Sequence, residues 1–157
     1  MKKILILLVL AFSSCKQQDQ PALPVEQFIK TYQERSDFTA FLDLYAEDMI
    51  LQDMITGYEA KGKDAFAAFF NWPDPSFQKL QEETIIVDEV IVENNLAVIS
   101  GHFTPFRWDT IRVEAMQFTT LLKFNENGKI VLHQDWINYP NNLIDYENRG
   151  NSNEWIR

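Results

Sequence analysis

Apolar residues change their spacing about half-way along the chain, and this limits the fold more than any other feature. In the first half, Val25, Phe28, Ile29 and Tyr32 recur at i, i+3, i+4 and i+7. That spacing is the stripe of an amphipathic helix, and Pro24 suits its first turn. Ser36 or Asp37 caps a second helix, on which Phe38, Phe41, Leu42 and Tyr45 repeat the spacing. Met49 to Asp53 reads as a short strand, and Ile55 to Lys61, with Gly57, as a turn. A third helix carries Phe66, Phe69 and Phe70 on one face, and Pro73 and Pro75 end it.

Beyond residue 80 the period falls to two. Thr84–Glu93, Leu96–Phe106, Ile111–Phe124 and Lys129–Tyr139 are rich in β-branched and aromatic residues. Asn94-Asn95 and Asn127-Gly128 mark tight turns between them. Helices followed by a meander of long strands indicate an α+β domain. Long strands twist and curl. The expected form is a cone-shaped, curved antiparallel (mixed) sheet, covered by three N-terminal helices and enclosing a pocket.

The N-terminus carries different information. Lys2 and Lys3 precede nine uncharged, mostly apolar residues, Ile4 to Phe12. A bilayer span needs about 20, so the run fits the h-region of an export signal. Ser13 and Ser14 then lead to Cys15, the only cysteine, and the arrangement resembles a bacterial lipobox. Residues 1–14 are therefore expected to be a lipoprotein signal peptide, with Cys15 lipidated. Residues 15–23 form a flexible tether, residues 24–139 the folded domain, and residues 140–157 an Asn-rich tail. The expected location is the cell envelope, with the domain exported and held at a membrane by its lipid. A single cysteine excludes an internal disulfide.

Loss of Lys2 and Lys3 takes the formal charge from −9 to −11. So acidic a surface repels phosphate backbones, which excludes nucleic acid as a partner.

Several polar residues fall on apolar faces. Residues two apart share a face of a strand, so Met49, Leu51 and Asp53 point the same way. Asp53 then either looks into the core or ends the strand and caps the next turn. In the last strand Val131, His133, Asp135 and Ile137 share one face. There burial favours a neutral carboxyl and a charged imidazole favours the carboxylate, so Asp135 suits acid or base work. The alternative is a structural His–Asp hydrogen bond. Met116, Phe118, Thr120 and Leu122 also share a face. Thr120 either orients a ligand or simply forms strand. Trp108 lies in a stretch read as a rim or bulged strand end, because Pro105 cannot donate to a ladder. No zinc spacing, glycine-rich phosphate loop or nucleophile elbow is present. His133, Asp135 and Asp53 lack diagnostic metal spacing, so neither metal nor cofactor is expected.

Three strings, Leu44–Asp53 (LYAEDMILQD), Gly62–Phe70 (GKDAFAAFF) and Phe124–Trp136 (FNENGKIVLHQDW), carry a family likeness. Through them the chain resembles the nuclear transport factor 2-like superfamily, and within it the SnoaL-like polyketide cyclases and ketosteroid isomerases. The resemblance implies that Asp53 stands where the isomerases keep a proton-shuttling carboxylate. It places Tyr32 near their oxyanion tyrosine. Thr120 falls where they keep a protonated aspartic acid, a departure that argues against ketosteroid isomerisation. Asp135 falls where the cyclases keep an acid/base aspartate. It also implies a homodimer through the outer sheet face, with which exposed Trp136 and Leu132 are compatible.

Two functions follow. One is a binding module for a small, largely apolar or carbonyl-containing molecule, with Tyr32, Met116, Phe118, Thr120 and Trp108 against the ligand. The other is an acid/base enzyme of isomerase, cyclase or hydratase/hydrolase type, using Asp53, Asp135 and His133.

Overall fold

The computed structural model describes residues 23–156. The expected signal peptide (residues 1–14) and Cys15 lie outside the described residues. No helix among the described residues is long and apolar enough to cross a membrane.

Two helices come first, α1 (Val25–Glu34) and α2 (Phe38–Leu42). Val25, Phe28 and Tyr32 are the buried stripe of α1. Asp37 caps α2 by accepting a hydrogen bond from Ala40 N at 2.9 Å. Helix α2 is shorter than its apolar stripe suggests, because Tyr45 belongs to the next strand, β1 (Tyr45–Asp53). Backbone pairing with the last strand supplies partners there, beginning with Ile130 N to Leu44 O at 2.9 Å. The stretch expected to be a turn is a turn only as far as Gly57. Tyr58–Lys61 forms β2, which pairs antiparallel with β1. Helix α3 (Lys63–Phe70) follows.

The remaining strands are β3 (Phe77–Lys79), β4 (Ile85–Glu93), β5 (Leu96–Phe103), β6 (Phe106–Trp108), β7 (Ile111–Val113), β8 (Met116–Phe124) and β9 (Ile130–Ile137). Six of them form one sheet in the order β2-β1-β9-β8-β5-β4. All its pairings are antiparallel except β1 with β9, which is parallel. The expected curved, mixed sheet with three helices over it is therefore present.

Two long strands expected from the sequence are broken in two. Leu96–Phe106 ends at Phe103, and Pro105 marks the break because it has no N–H for the ladder. Ile111–Phe124 breaks at Glu114 and Ala115. The short pieces, with β3, make a second sheet in the order β3-β6-β7.

Curvature of the main sheet has a local cause. Asp88 is an extra residue in β4, between the pairs Val87↔Gly101 and Glu89↔Ser100. A Cβ at Gly101 would lie 2.1 Å from Ile86 O. Only glycine lets the two backbones come so close at this bulge. The helices fill the concave side over Phe28, Phe41, Tyr45 and Phe66, all fully buried.

Beyond β9 the chain turns back over the convex side. Gly150 meets Gly57, where a Cβ on Gly57 would lie 2.3 Å from Gly150 C. Ser152 Oγ donates to Met54 O at 3.0 Å.

Candidate functional site

Alternation along β1 and β9 delivers the acidic floor of a cavity. The parallel register sets Leu51 beside His133 and Asp53 beside Asp135. Both carboxylates are buried on the concave face and both line a cavity of about 300 Å³. Its walls include Leu51, Phe70, Phe103, Met116 and Ile137. The second sheet roofs its mouth with Phe77, Phe106 and Trp108.

The two carboxylates are held in different ways. Asp53 Oδ1 accepts the backbone N–H groups of Ile55 and Thr56, each at 2.9 Å. Asp53 Oδ2 accepts the Tyr139 hydroxyl at 2.7 Å. The side chain thus does both things its position in the sequence allowed: it caps the turn and faces the hollow. Asp135 Oδ1 accepts the Thr120 hydroxyl at 2.5 Å and contacts His133 Nε2 at 3.0 Å. Its Oδ2 has no donor among the described residues and is left to the cavity.

His133 stands behind Asp135 and does not reach the hollow, being 0 % exposed. Its ring lies among those of Phe28, Tyr45, Phe66 and Phe70. Tyr45 Oη lies 2.9 Å from His133 Nδ1. With the imidazole neutral, Tyr45 donates to Nδ1 and Nε2–H donates to Asp135. The packed ring fixes Asp135, and so fixes where its free oxygen points.

The tyrosines are kept protonated. Burial, and then the charge on Asp135, push the Tyr32 phenol well above its usual range, with Arg35 opposing. Burial and then Asp53 push Tyr139 up further. Each is therefore a hydrogen-bond donor rather than a base. Tyr139 donates its hydroxyl hydrogen bond to Asp53. The Tyr32 hydroxyl makes no hydrogen bond among the described residues, and Tyr32 lines the cavity.

A family model for the SnoaL-like domain matches residues 25–133, more than half of the chain. The chain belongs to the SnoaL-like domain family. No curated protein matches its sequence. Solved structures agree on the fold of this SnoaL-like domain. A protein assigned as a SnoaL-like polyketide cyclase from Shewanella putrefaciens CN-32 superposes with a TM-score of 0.61 at 16% identity, covering 73% of this chain and 86% of that one. A protein of ketosteroid isomerase-like fold from Catenulispora acidiphila, crystallised with trimethylamine, gives 0.57 at 15%, covering 71% and 82%. An epoxide hydrolase of the LEH-like type from M. tuberculosis gives 0.57 at 13%, covering 72% and 78%.

Of the residues singled out from sequence, Asp53, Asp135, Tyr32, Met116 and Trp108 line the cavity of this SnoaL-like domain. Trp108 sits at its mouth, 39 % exposed. Three do not line it. His133 and Thr120 lie behind Asp135 as its hydrogen-bond partners. Phe118 packs its ring on Phe103, with centroids 5.2 Å apart. Sequence reasoning overlooked Tyr139 and Arg35. Tyr139 was within reach, since it continues the alternation of His133, Asp135 and Ile137 by one step. Arg35 follows Tyr32 by three residues on the helical stripe, but a charge at that position reads as the end of the apolar face.

Proposed function

We propose that this SnoaL-like domain binds a small, largely apolar molecule in the cavity, with a carbonyl or hydroxyl group turned to the floor. The observation that supports this is that Asp135 Oδ2 and the Tyr32 hydroxyl line one cavity, each without a hydrogen-bond partner among the described residues. Among the described residues one is an acceptor without a donor and the other a donor without an acceptor, and both line a largely hydrocarbon-walled space. A polar ligand atom there gains hydrogen bonds that the protein does not supply, while its body leaves water. Titration of the full chain with the neutral ketone β-tetralone, followed by NMR, tests the reading. Saturable shifts at Met116 and Ile137 support it; unchanged spectra overturn it.

A second reading is acid/base catalysis, favoured by the Tyr45–His133–Asp135 chain. Asp135 takes a proton beside a carbonyl while Tyr32 donates to the developing oxyanion. In deuterium oxide the protein then speeds α-proton exchange of bound β-tetralone. Asp135→Asn lowers that rate by about 100-fold with binding retained. Equal rates in both proteins remove Asp135 from the role.

Tethering to the envelope by a lipid on Cys15 is proposed from Lys2, Lys3, the apolar run and the small residues before the cysteine. A diacyl or triacyl mass on Cys15 in the membrane fraction supports it, and an unmodified soluble chain refutes it. A homodimer through the outer sheet face is proposed from Trp136, 38 % exposed there. Sedimentation of wild type against Trp136→Glu tests it, and a monomeric wild type removes it.

A further inference from the structure

The two ends of the cavity differ in charge, and the mouth carries an unsatisfied cation. Arg35 follows the last residue of α1 in the left-handed region, with φ at +47°. Glycine or asparagine is usual there, and a long side chain is held at a cost. Backbone contacts pin it in place. The Thr84 hydroxyl donates to Tyr32 O, Thr84 N donates to Gln33 O at 2.9 Å, and Lys79 Nζ donates to Glu34 O at 2.8 Å.

The guanidinium lies over the Phe77 ring, with Cζ 3.8 Å from the centroid, and 5.4 Å from that of Trp72. Its Nε is buried with no acceptor among the described residues. The terminal nitrogens also make no hydrogen bond among the described residues, and they are not covered. Arg35 and Lys79 both line the cavity. Neither pairs with a carboxylate among the described residues, in a chain with 23 acidic and 14 basic residues. A ring stacked beneath a guanidinium covers one face and leaves its edge open. That edge is the one that takes a planar oxyanion with two parallel hydrogen bonds.

Resting on the binding reading above, we propose that the ligand is an organic carboxylate, gripped at the mouth by the edge of Arg35. Its apolar body lies across Phe70 and Phe103. The two carboxylates of the floor favour this orientation, because they repel a second anion from the far end.

A matched pair of probes, β-naphthoate and the neutral β-naphthamide, separates the claims by titration into the full chain at low salt. The expected result is about tenfold tighter binding of the carboxylate, weakening as salt rises. Arg35→Gln abolishes the preference and leaves the amide's affinity within about twofold. Arg35→Met keeps the stem on Phe77 and serves as the second variant if Arg35→Gln fails to fold. Equal affinity of wild type for the two probes, or a preference that survives loss of Arg35, overturns this proposal and leaves the binding reading standing. Failure of both probes to bind overturns the two together.

Discussion

The floor of the cavity and its mouth solve the problem of buried polarity in opposite ways. At the floor, Asp53 receives three hydrogen bonds, and Asp135 is backed by Thr120 and His133. The long strands β1, β8 and β9 hold these groups in register. At the mouth, Arg35 has stacking partners but no acceptor among the described residues, and Trp108 is part-exposed on a three-residue strand. A satisfied polar group contributes to stability, whereas an unsatisfied one is available to a ligand. The hydrogen-bonded and packed groups of the floor should therefore respond to mutation mainly in stability, and the mouth mainly in affinity.

The largest expected effect breaks the comparison if it fails. His133→Ala removes a fully buried ring, opens a cavity among four aromatic rings and orphans the Tyr45 hydroxyl. A loss of about 4 kcal/mol is expected in urea unfolding. A loss below about 1 kcal/mol makes the floor no more structural than the mouth.

Alkaline titration comes next. Tyr32, Tyr45 and Tyr139 all have phenols raised by burial above their unfolded value. Their contribution is intact below about pH 10 and is lost above it, as the unfolded chain releases protons that the fold retains. At pH 11 each phenol costs about 1.4 kcal/mol. Phenolate absorbance from these three should appear together with unfolding; its appearance in a folded protein contradicts their burial.

Asp53→Asn has a smaller effect, about 1 kcal/mol, because the amide oxygen still accepts from Ile55 and Thr56 and only the Tyr139 contact must turn round. Thermal melts of this variant beside Asp135→Asn compare the two carboxylates. Least affected are the mouth variants. Trp108→Ala and Arg35→Gly should each change stability by less than about 1 kcal/mol, since glycine relieves the positive φ while removing the stack on Phe77. A collapse of either fold would show that the mouth is structural after all.

Much of this architecture was legible in the sequence. The change of period separated helices from strands. Alternation put Asp53 on one face with Leu51 and Met49, and Asp135 on one face with His133. Errors gathered where local pattern competes with pairing. Tyr45 continues a helical stripe, yet it pairs in β1 because β9 lies alongside. Tyr58–Lys61 resembles a turn until β1 supplies its partner strand.

Composition and periodicity by themselves determined the class of fold, which residues share a face in β1, β8 and β9, and the acidic character of the chain. Only the tertiary structure decided that Asp53 and Asp135 are parallel neighbours, that His133 stands behind one of them, and that Arg35 lines the mouth with no acceptor among the described residues. The reason is geometric. Periodicity reports which side of a strand a residue occupies, but strand order and atom-level satisfaction arise from pairings between segments some 80 residues apart. Which lone pair or N–H remains unused is therefore a property of the assembled sheet and helices, and no single segment encodes it.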